Sequence, residues 1–189
     1  MIEPSQPRRP FLRRPVVLAG LAVLAVVLGV GAYWFQPWKL FTNTTVNEAL
    51  PTVAPGKAPA GSPETATGAA GPEVVSQGQL VSQEHETSGT VQLLRLPDKS
   101  LLVRIEDLNT SDGPDLKVWL TDAPVTPGLS GAFVFDKGRS VDLGSLKGNR
   151  GSANYPVPAD TDVEGLTSVS IWCARFNVSF GAAELAPVT

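Results

Sequence analysis

The first part of the chain contains one long, uninterrupted apolar run. Residues 15–36 carry no charge, and the stretch from Val16 to Ala32 consists only of Val, Leu, Ala and Gly. About 20 apolar residues, each rising about 1.5 Å, cross the ~30 Å hydrocarbon core of a bilayer. The residues that follow are typical of a membrane interface and include Tyr33, Trp34, Phe35 and Trp38. We therefore predict one transmembrane helix over residues 15–36, in contact with the lipid bilayer.

The residues before this helix predict its orientation. Residues 1–14 hold four arginines and one glutamate, and the positive-inside rule places such a basic N-terminus in the cytoplasm. A cleaved signal peptide is the alternative, but its apolar region is about 7–15 residues long and ends in small residues. The sequence therefore predicts a single-pass protein of the cell membrane with a cytoplasmic N-terminus and an extracytoplasmic domain.

Residues 37–72 are predicted to form a flexible linker. The part from Leu50 to Pro72 is rich in Pro, Ala, Gly, Ser and Thr, with no large apolar residue after Val53. Such a composition buries too little apolar surface to offset its ordering entropy. Residues 39–49, at the start of this linker, leave two alternatives open, a continuation of the helix or a loop.

Residues 73–189 are predicted to form an all-β domain. Short β-favouring runs alternate with turn signals, and no long helical period appears. Many short strands in about 115 residues favour a β-sandwich or an open barrel. The predicted strands are Gly78–Val81, Gly89–Leu96, Ser100–Asp107, Leu116–Thr121, Gly131–Asp136, Ser140–Leu143, Val169–Arg175 and Val178–Glu184.

Two of these strands have clear apolar patterns. Between residues 101 and 106, Leu, Val and Ile at the odd positions alternate with a set that includes Arg104 and Glu106, which indicates a half-buried strand. Residues 169–174 are apolar or small on both faces, a pattern typical of a central strand covered on each side. This pattern predicts that Cys173 is buried near the middle of a sheet.

Composition and charge exclude several classes of function. From residue 37 onward there are 11 Lys and Arg against 17 Asp and Glu, so this part carries a charge of −6 and lacks the basic excess of nucleic-acid-binding proteins. The single cysteine excludes an intrachain disulfide. No nucleophile-elbow, phosphate-loop or zinc-ligand pattern is present, so we do not predict a hydrolase, a nucleotide-dependent enzyme or a metal site.

Cys173 and His85 are the only residues that suggest particular chemistry. Cys173 is either a small buried hydrophobic residue or a redox thiol or prosthetic-group ligand, because a lone thiol outside the cytoplasm is exposed to oxidation. His85 is either a solvent-facing or hydrogen-bonded histidine or a second ligand. Residues 112–116 are interpreted as a tight turn entering a strand, and residues 144–158 as a long surface loop of the kind that often binds ligands.

Four motifs in one order resemble the DM13 domain family over about 110 residues. They read Glu-His-Glu-Thr-Ser-Gly at 84–89, Gly-Pro-Asp-Leu-Lys-Val-Trp-Leu at 113–120, Leu-Gly-Ser-Leu-Lys-Gly-Asn-Arg-Gly at 143–151 with Asn-Tyr-Pro-Val-Pro at 154–158, and a final motif over 169–185 that contains Cys173. The resemblance implies a β-sandwich module of membrane-tethered or extracytoplasmic proteins. It also implies electron transfer through the cysteine, as a bare thiol or as a ligand of a prosthetic group such as haem.

Two functions remain open at this stage. The first is a redox or electron-transfer module that uses Cys173 as redox residue, with Cys173 and His85 as haem ligands in one version. The second is a non-catalytic extracytoplasmic module, with a structural cysteine, that binds a membrane or cell-envelope partner. An accessory subunit of a membrane complex, held through the helix, is a weaker third alternative. The cofactor, if any, is not identified by the sequence beyond the haem that the resemblance suggests.

Overall fold

The computed structural model describes residues 15–51 and 71–188. Residues 15–35 form helix α1, and a 3-10 helix follows at 37–41. The strands are β1 Thr45–Asn47, β2 Glu73–Gln79, β3 Val81–Ser82, β4 Ser88–Arg95, β5 Leu101–Asn109, β6 Leu116–Thr121, β7 Ser140–Ser145, β8 Arg150–Pro156, β9 Ser168–Cys173, β10 Val178–Glu184 and β11 Ala186–Pro187. The predicted basic N-terminus at 1–14 and residues 52–70 of the predicted linker lie outside the described residues.

Helix α1 has the length and composition to cross a membrane, a test that an N-terminal signal sequence also passes. None of its side chains is buried against the protein, which agrees with a sequence that is apolar on every side. The chain divides into one compact unit that ends at Trp38 and a second that begins at Lys39. The second unit holds all the strands.

The strands form two sheets that face each other across one core. The larger sheet has the order β1-β8-β5-β4-β2-β11, and the smaller has the order β3-β10-β9-β6-β7. Neighbouring strands are antiparallel except for β1 and β8, which are parallel. The predicted all-β, sandwich-like fold preceded by an apolar helix is confirmed.

Strand β9 lies at the centre of the smaller sheet and is buried on both faces. Val169, Ile171 and Cys173 point into the core between the sheets, whereas Trp172 points to the outer face. There it joins a second, smaller apolar cluster with Phe135, formed under the connection between β6 and β7. Burial on both faces explains the two-sided apolar pattern of this segment.

The strand predicted over Gly131–Asp136 is wrong. These residues follow a short 3-10 helix and form turns that cover the outer face of the smaller sheet. Phe135 is fully buried against Trp172 there, while Phe133 remains exposed. The apolar run therefore belongs to a covering loop that buries Ala132 and Phe135 and has no strand partner.

The larger sheet contains three strands that the sequence pattern did not predict, β1, β8 and the two-residue β11. Strand β8 occupies part of the predicted surface loop at 144–158 and pairs with β5 on one side and β1 on the other. Strand β1 lies within the predicted linker at 37–72, where the sequence had left a helix or a loop open. Residues 39–51 thus pack on the domain as part of its larger sheet.

Candidate functional site

Cys173 is the last residue of β9 and lies in the core between the two sheets. Its neighbours in register are Leu116 of β6 and Val178 of β10, and all three belong to the main core cluster. The thiol is fully buried. The two-sided apolar pattern of the sequence anticipated this burial, because a central strand offers no solvent-facing side.

The environment of the sulfur disfavours the thiolate. Burial raises the pKa of the Cys173 thiol, since a negative charge loses its hydration in an apolar core. Backbone hydrogen bonds from Phe176, Arg175 and Asp115 oppose this shift, and the negative charge of Glu84 adds to it. Cys173 is therefore a protonated thiol at neutral pH and a weak nucleophile.

His85 lies in the connection between β3 and β4 and packs against β10. Its ring centroid is 3.9 Å from that of Phe180, and its backbone N–H donates to the Phe180 carbonyl oxygen at 3.3 Å. Its Nε2 is 3.3 Å from Oε2 of Glu84. Phe180 belongs to the same core cluster as Cys173, so His85 packs on a residue of the core that encloses the thiol.

A haem held by Cys173 and His85 does not fit this arrangement. A haem ligand needs open space beside its donor atom for the macrocycle, whereas the thiol is enclosed by the side chains of the core cluster. The imidazole faces Phe180 and pairs with Glu84. The chemistry available at this position is therefore that of the side chains themselves.

Two stacked tryptophans, Trp172 and Trp119, lie on the face of the smaller sheet opposite to Cys173. Trp172, the preceding residue, faces the opposite side of the sheet, and its ring is 5.1 Å from that of Trp119 at an interplanar angle of 23°. Phe135 meets Trp172 edge-on at 6.4 Å. Trp172 is buried and Trp119 is half-buried, so the stack runs from the interior of the domain towards its surface. Sequence reasoning missed this pair, because register across β6 and β9 decides which rings meet.

A polar cavity of about 230 Å³ lies beside the first residues of β6. The turn at 112–116 and the loop at 145–149 line it, together with Lys39 and Thr44. Asp112 forms the predicted turn, in which its Oδ1 accepts from the Gly113 N–H at 2.8 Å, and it also pairs with Lys39 at 3.3 Å. Two of the four motifs noted in the sequence thus meet around one cavity. Among the described residues, no three His, Cys, Asp or Glu side chains cluster as a metal site would require.

The burial of Cys173 leads to a prediction about its reactivity. In the native protein at about pH 8, we expect a thiol-specific reagent to label Cys173 at least roughly 1,000-fold more slowly than in denaturant. Core groups react only through openings that cost several kcal/mol. Labelling followed by absorbance, with and without denaturant, measures this ratio. Rapid labelling of the folded protein would show that the thiol is accessible.

A family model described as Electron transfer DM13 matches residues 79–185, which is more than half of the chain. The matched region contains β4 to β10, the buried Cys173, the stacked tryptophans and the polar cavity apart from Lys39 and Thr44. No curated protein and no solved structure matches the chain.

Proposed function

The chain belongs to the DM13 family, and from this membership we propose that it is a membrane-tethered electron-transfer module with Cys173 as its redox centre. Helix α1 has the length and composition of an anchor. The observation that carries the proposal is the fully buried thiol of Cys173, which follows Trp172 directly in β9, together with the stacking of Trp172 on the half-buried Trp119.

The burial of the thiol favours electron transfer over thiol–disulfide exchange. Exchange needs a thiolate that collides with a disulfide sulfur, so it depends on exposure and on a low pKa. Cys173 has neither property, because it is fully buried and its pKa is raised by that burial. Electron transfer does not need contact between the thiol and the acceptor. The stacked indoles of Trp172 and Trp119 are oxidisable rings that run from the interior towards the surface, where Trp119 is half-buried.

The proposed step is a one-electron oxidation of the thiol. Cys173 gives up one electron and one proton and becomes a thiyl radical. The electron passes through Trp172 and Trp119 to a strongly oxidising one-electron acceptor of the high-valent metal-complex class, which is reduced. The proton goes to the carboxylate of Glu84, whose charge already acts on the thiol, and the Glu84–His85 pair lies part-exposed at the surface. An electron and a proton from a donor restore the thiol.

Titration of the thiol against a one-electron oxidant tests this function. The full chain in detergent is exposed to a substitution-inert iridium(IV) complex, and the free thiol is counted after quenching and denaturation. We expect the oxidant to lower the number of free thiols below the one per chain of the untreated wild type. A bulky thiol reagent, by contrast, is expected to leave the native protein unlabelled. Electron paramagnetic resonance should show a radical signal that is altered in Cys173→Ser.

The matched variant is Trp119→Phe, which keeps an aromatic ring but is much harder to oxidise than indole. We expect it to slow the loss of thiol about tenfold or more, which corresponds to about 1.4 kcal/mol in the activation free energy, without changing the final count. A thiol that survives the oxidant in the wild type, or one that is lost equally fast in Trp119→Phe, would contradict the proposal.

The polar cavity favours a second candidate, a module that binds a small polar ligand and keeps Cys173 as a structural core residue. The cavity is lined by Asp112, Asp115 and Lys147, whose charges suit such a ligand. In this case the oxidant leaves the thiol count at its starting value, so the same titration separates the two candidates.

A further inference from the structure

Residues 39–51, termed here the strap, are built into the larger sheet of the domain. Val46 pairs with Gly151 through the parallel register of β1 and β8, and its side chain packs against the main core. The Arg150 N–H donates to the Thr44 carbonyl oxygen at 3.2 Å, and the Glu48 N–H donates to the Ser152 carbonyl oxygen at 2.9 Å. The strap therefore forms the outermost strand of the sheet. It lies outside the region that matches the family.

A buried asparagine of the domain holds the start of the strap. Asn149 is 1 % exposed. Its Oδ1 accepts from the Thr44 N–H at 2.7 Å, and its Nδ2 donates to Asn43 Oδ1 and to the Thr110 carbonyl oxygen, each at 2.8 Å. Two of these hydrogen bonds join the strap to the loop at 145–149, and the third joins that loop to Thr110, the residue after β5.

Charged and polar groups of the domain hold the other end of the strap. The Glu48 carboxylate accepts from Lys147 Nζ at 2.8 Å and from the Asn154 N–H at 2.8 Å. Arg104 Nη1 donates to the Glu48 carbonyl oxygen at 3.1 Å, and Asn154 Nδ2 donates to the Ala49 carbonyl oxygen at 2.8 Å. Arg104 and Asn154 are buried, so these contacts are less screened by solvent than an ordinary surface ion pair.

Two glycines of the domain leave the space that the strap occupies. A methyl group at Gly148 would lie 2.6 Å from the Thr44 carbonyl oxygen and 2.8 Å from Cγ2 of Val46. Gly151 has a φ of 93°, and a methyl group there would overlap the Val46 carbonyl oxygen. The backbone of β8 and its preceding turn is therefore shaped for a strand at this edge.

We propose that the strap is a latch that fastens the domain to its own anchor, because β1 and β2, which residues 52–70 join along the chain, belong to the same sheet. Only Gln36 to Trp38 separate helix α1 from the strap, so the fastened chain can extend about 15 Å between them. An unfastened chain from residue 36 to 72 could extend over about 120 Å. The inference rests on the anchoring part of the proposed function. It implies that the partner of this domain is held at the same membrane surface.

Cleavage of the chain between β1 and β2 tests the latch directly. A protease recognition sequence is inserted after Gly61 of the full chain, and isolated membranes are treated with the protease, washed and sedimented. We expect the domain fragment to stay with the membrane fraction after complete cleavage, because the strap still pairs with β8. Appearance of the wild-type fragment in the supernatant would overturn the proposal.

Gly148→Ala is the matched disrupting variant, because its added methyl group meets the strap at the two atoms described above. We expect cleavage to release at least about tenfold more of the Gly148→Ala domain than of the wild type. Gly71→Ala, whose methyl group enters open space, should behave as the wild type does. Equal release from Gly148→Ala and Gly71→Ala would overturn the assignment of the latch to this contact.

A pair of introduced cysteines shows which chain the strap docks on. Asn47 and Ser152 are register partners, and Asn47→Cys with Ser152→Cys should form a disulfide on mild oxidation. With free thiols blocked before denaturation, we expect a crosslinked monomer on a non-reducing gel. A crosslinked dimer would overturn the proposal in favour of strand exchange between copies.

Sedimentation of the uncut chain with membranes checks the anchor itself, and the thiol titration does not depend on the strap. If the protease and crosslinking experiments contradict the latch, the thiol titration still tests the redox function. If the titration contradicts the redox function, the protease and crosslinking experiments still test the latch.

Discussion

Replacement of Trp172 by alanine is expected to lower the free energy of unfolding by about 3–5 kcal/mol, which is the usual cost of removing a large buried aromatic side chain. Trp172 is the largest fully buried side chain of the described residues. It stacks on Trp119, meets Phe135 edge-on and fills the cluster on the outer face of the smaller sheet. Denaturant unfolding followed by the far-ultraviolet circular dichroism of the β domain measures the change.

Trp119→Ala is the control for this substitution. Trp119 lies on the other side of the same stack but is only half-buried, so its removal should cost less than that of Trp172. In the double variant, the loss in the free energy of unfolding should be smaller than the sum of the two single losses, because each single substitution already removes the contact between the two rings. A Trp172→Ala protein as stable as Trp119→Ala would show that the outer cluster contributes little to stability.

Asn149→Ala is expected to lower the free energy of unfolding by about 2–4 kcal/mol, since it leaves buried or part-buried backbone groups without partners at about 1–3 kcal/mol each. The buried group is the Thr110 carbonyl oxygen, the Thr44 N–H loses a part-buried hydrogen bond, and the Asn43 side chain loses its donor as well. The substitution also leaves a small void next to the strap. The same denaturant unfolding measures the loss.

An exposed asparagine provides the comparison for this effect. Asn109 ends β5 with its side chain in solvent, and Asn109→Ala should change stability by less than about 0.5 kcal/mol. We also expect Asn149→Ala to unfold less cooperatively, with the strap released at a lower denaturant concentration than the rest of the domain. Similar stabilities for Asn149→Ala and Asn109→Ala would contradict this role.

Strands whose burial is decided locally were predictable from the sequence. The predicted bounds of β6 and β10 agree with the structure, and β5 and β9 differ by a few residues at their ends. Strand β8 could not be predicted from its own apolar pattern. It begins with Arg150-Gly151-Ser152, and the polar side chain of Asn154 is buried with hydrogen bonds from Arg104 and to the strap. Its burial thus depends on partners that are distant in sequence.

The candidate site was predictable in part, for the same reason. The two-sided apolar pattern of β9 placed Cys173 in the interior, a property of the strand itself. The position of His85 depends on β3 pairing with the middle of β10, which no local pattern reveals. Strand β1 itself has only Thr45 and Val46 as β-favouring residues, too few for a strand to be recognised between the apolar helix and the Pro-rich segment.

The parallel pairing of β1 with β8 also determines the order in which the chain can be completed. Thr44 and Asn149 are 105 residues apart, so the first strand made after the helix has no partner until most of the domain has been synthesised. At about 5–20 residues per second, that interval is on the order of 5–20 s. Closing a loop of this length adds an entropic cost that the short hairpins of the domain avoid. During biosynthesis β1 therefore cannot join the sheet before β8 has been made, and its backbone N–H and C=O groups need another partner, such as water or a chaperone, until then.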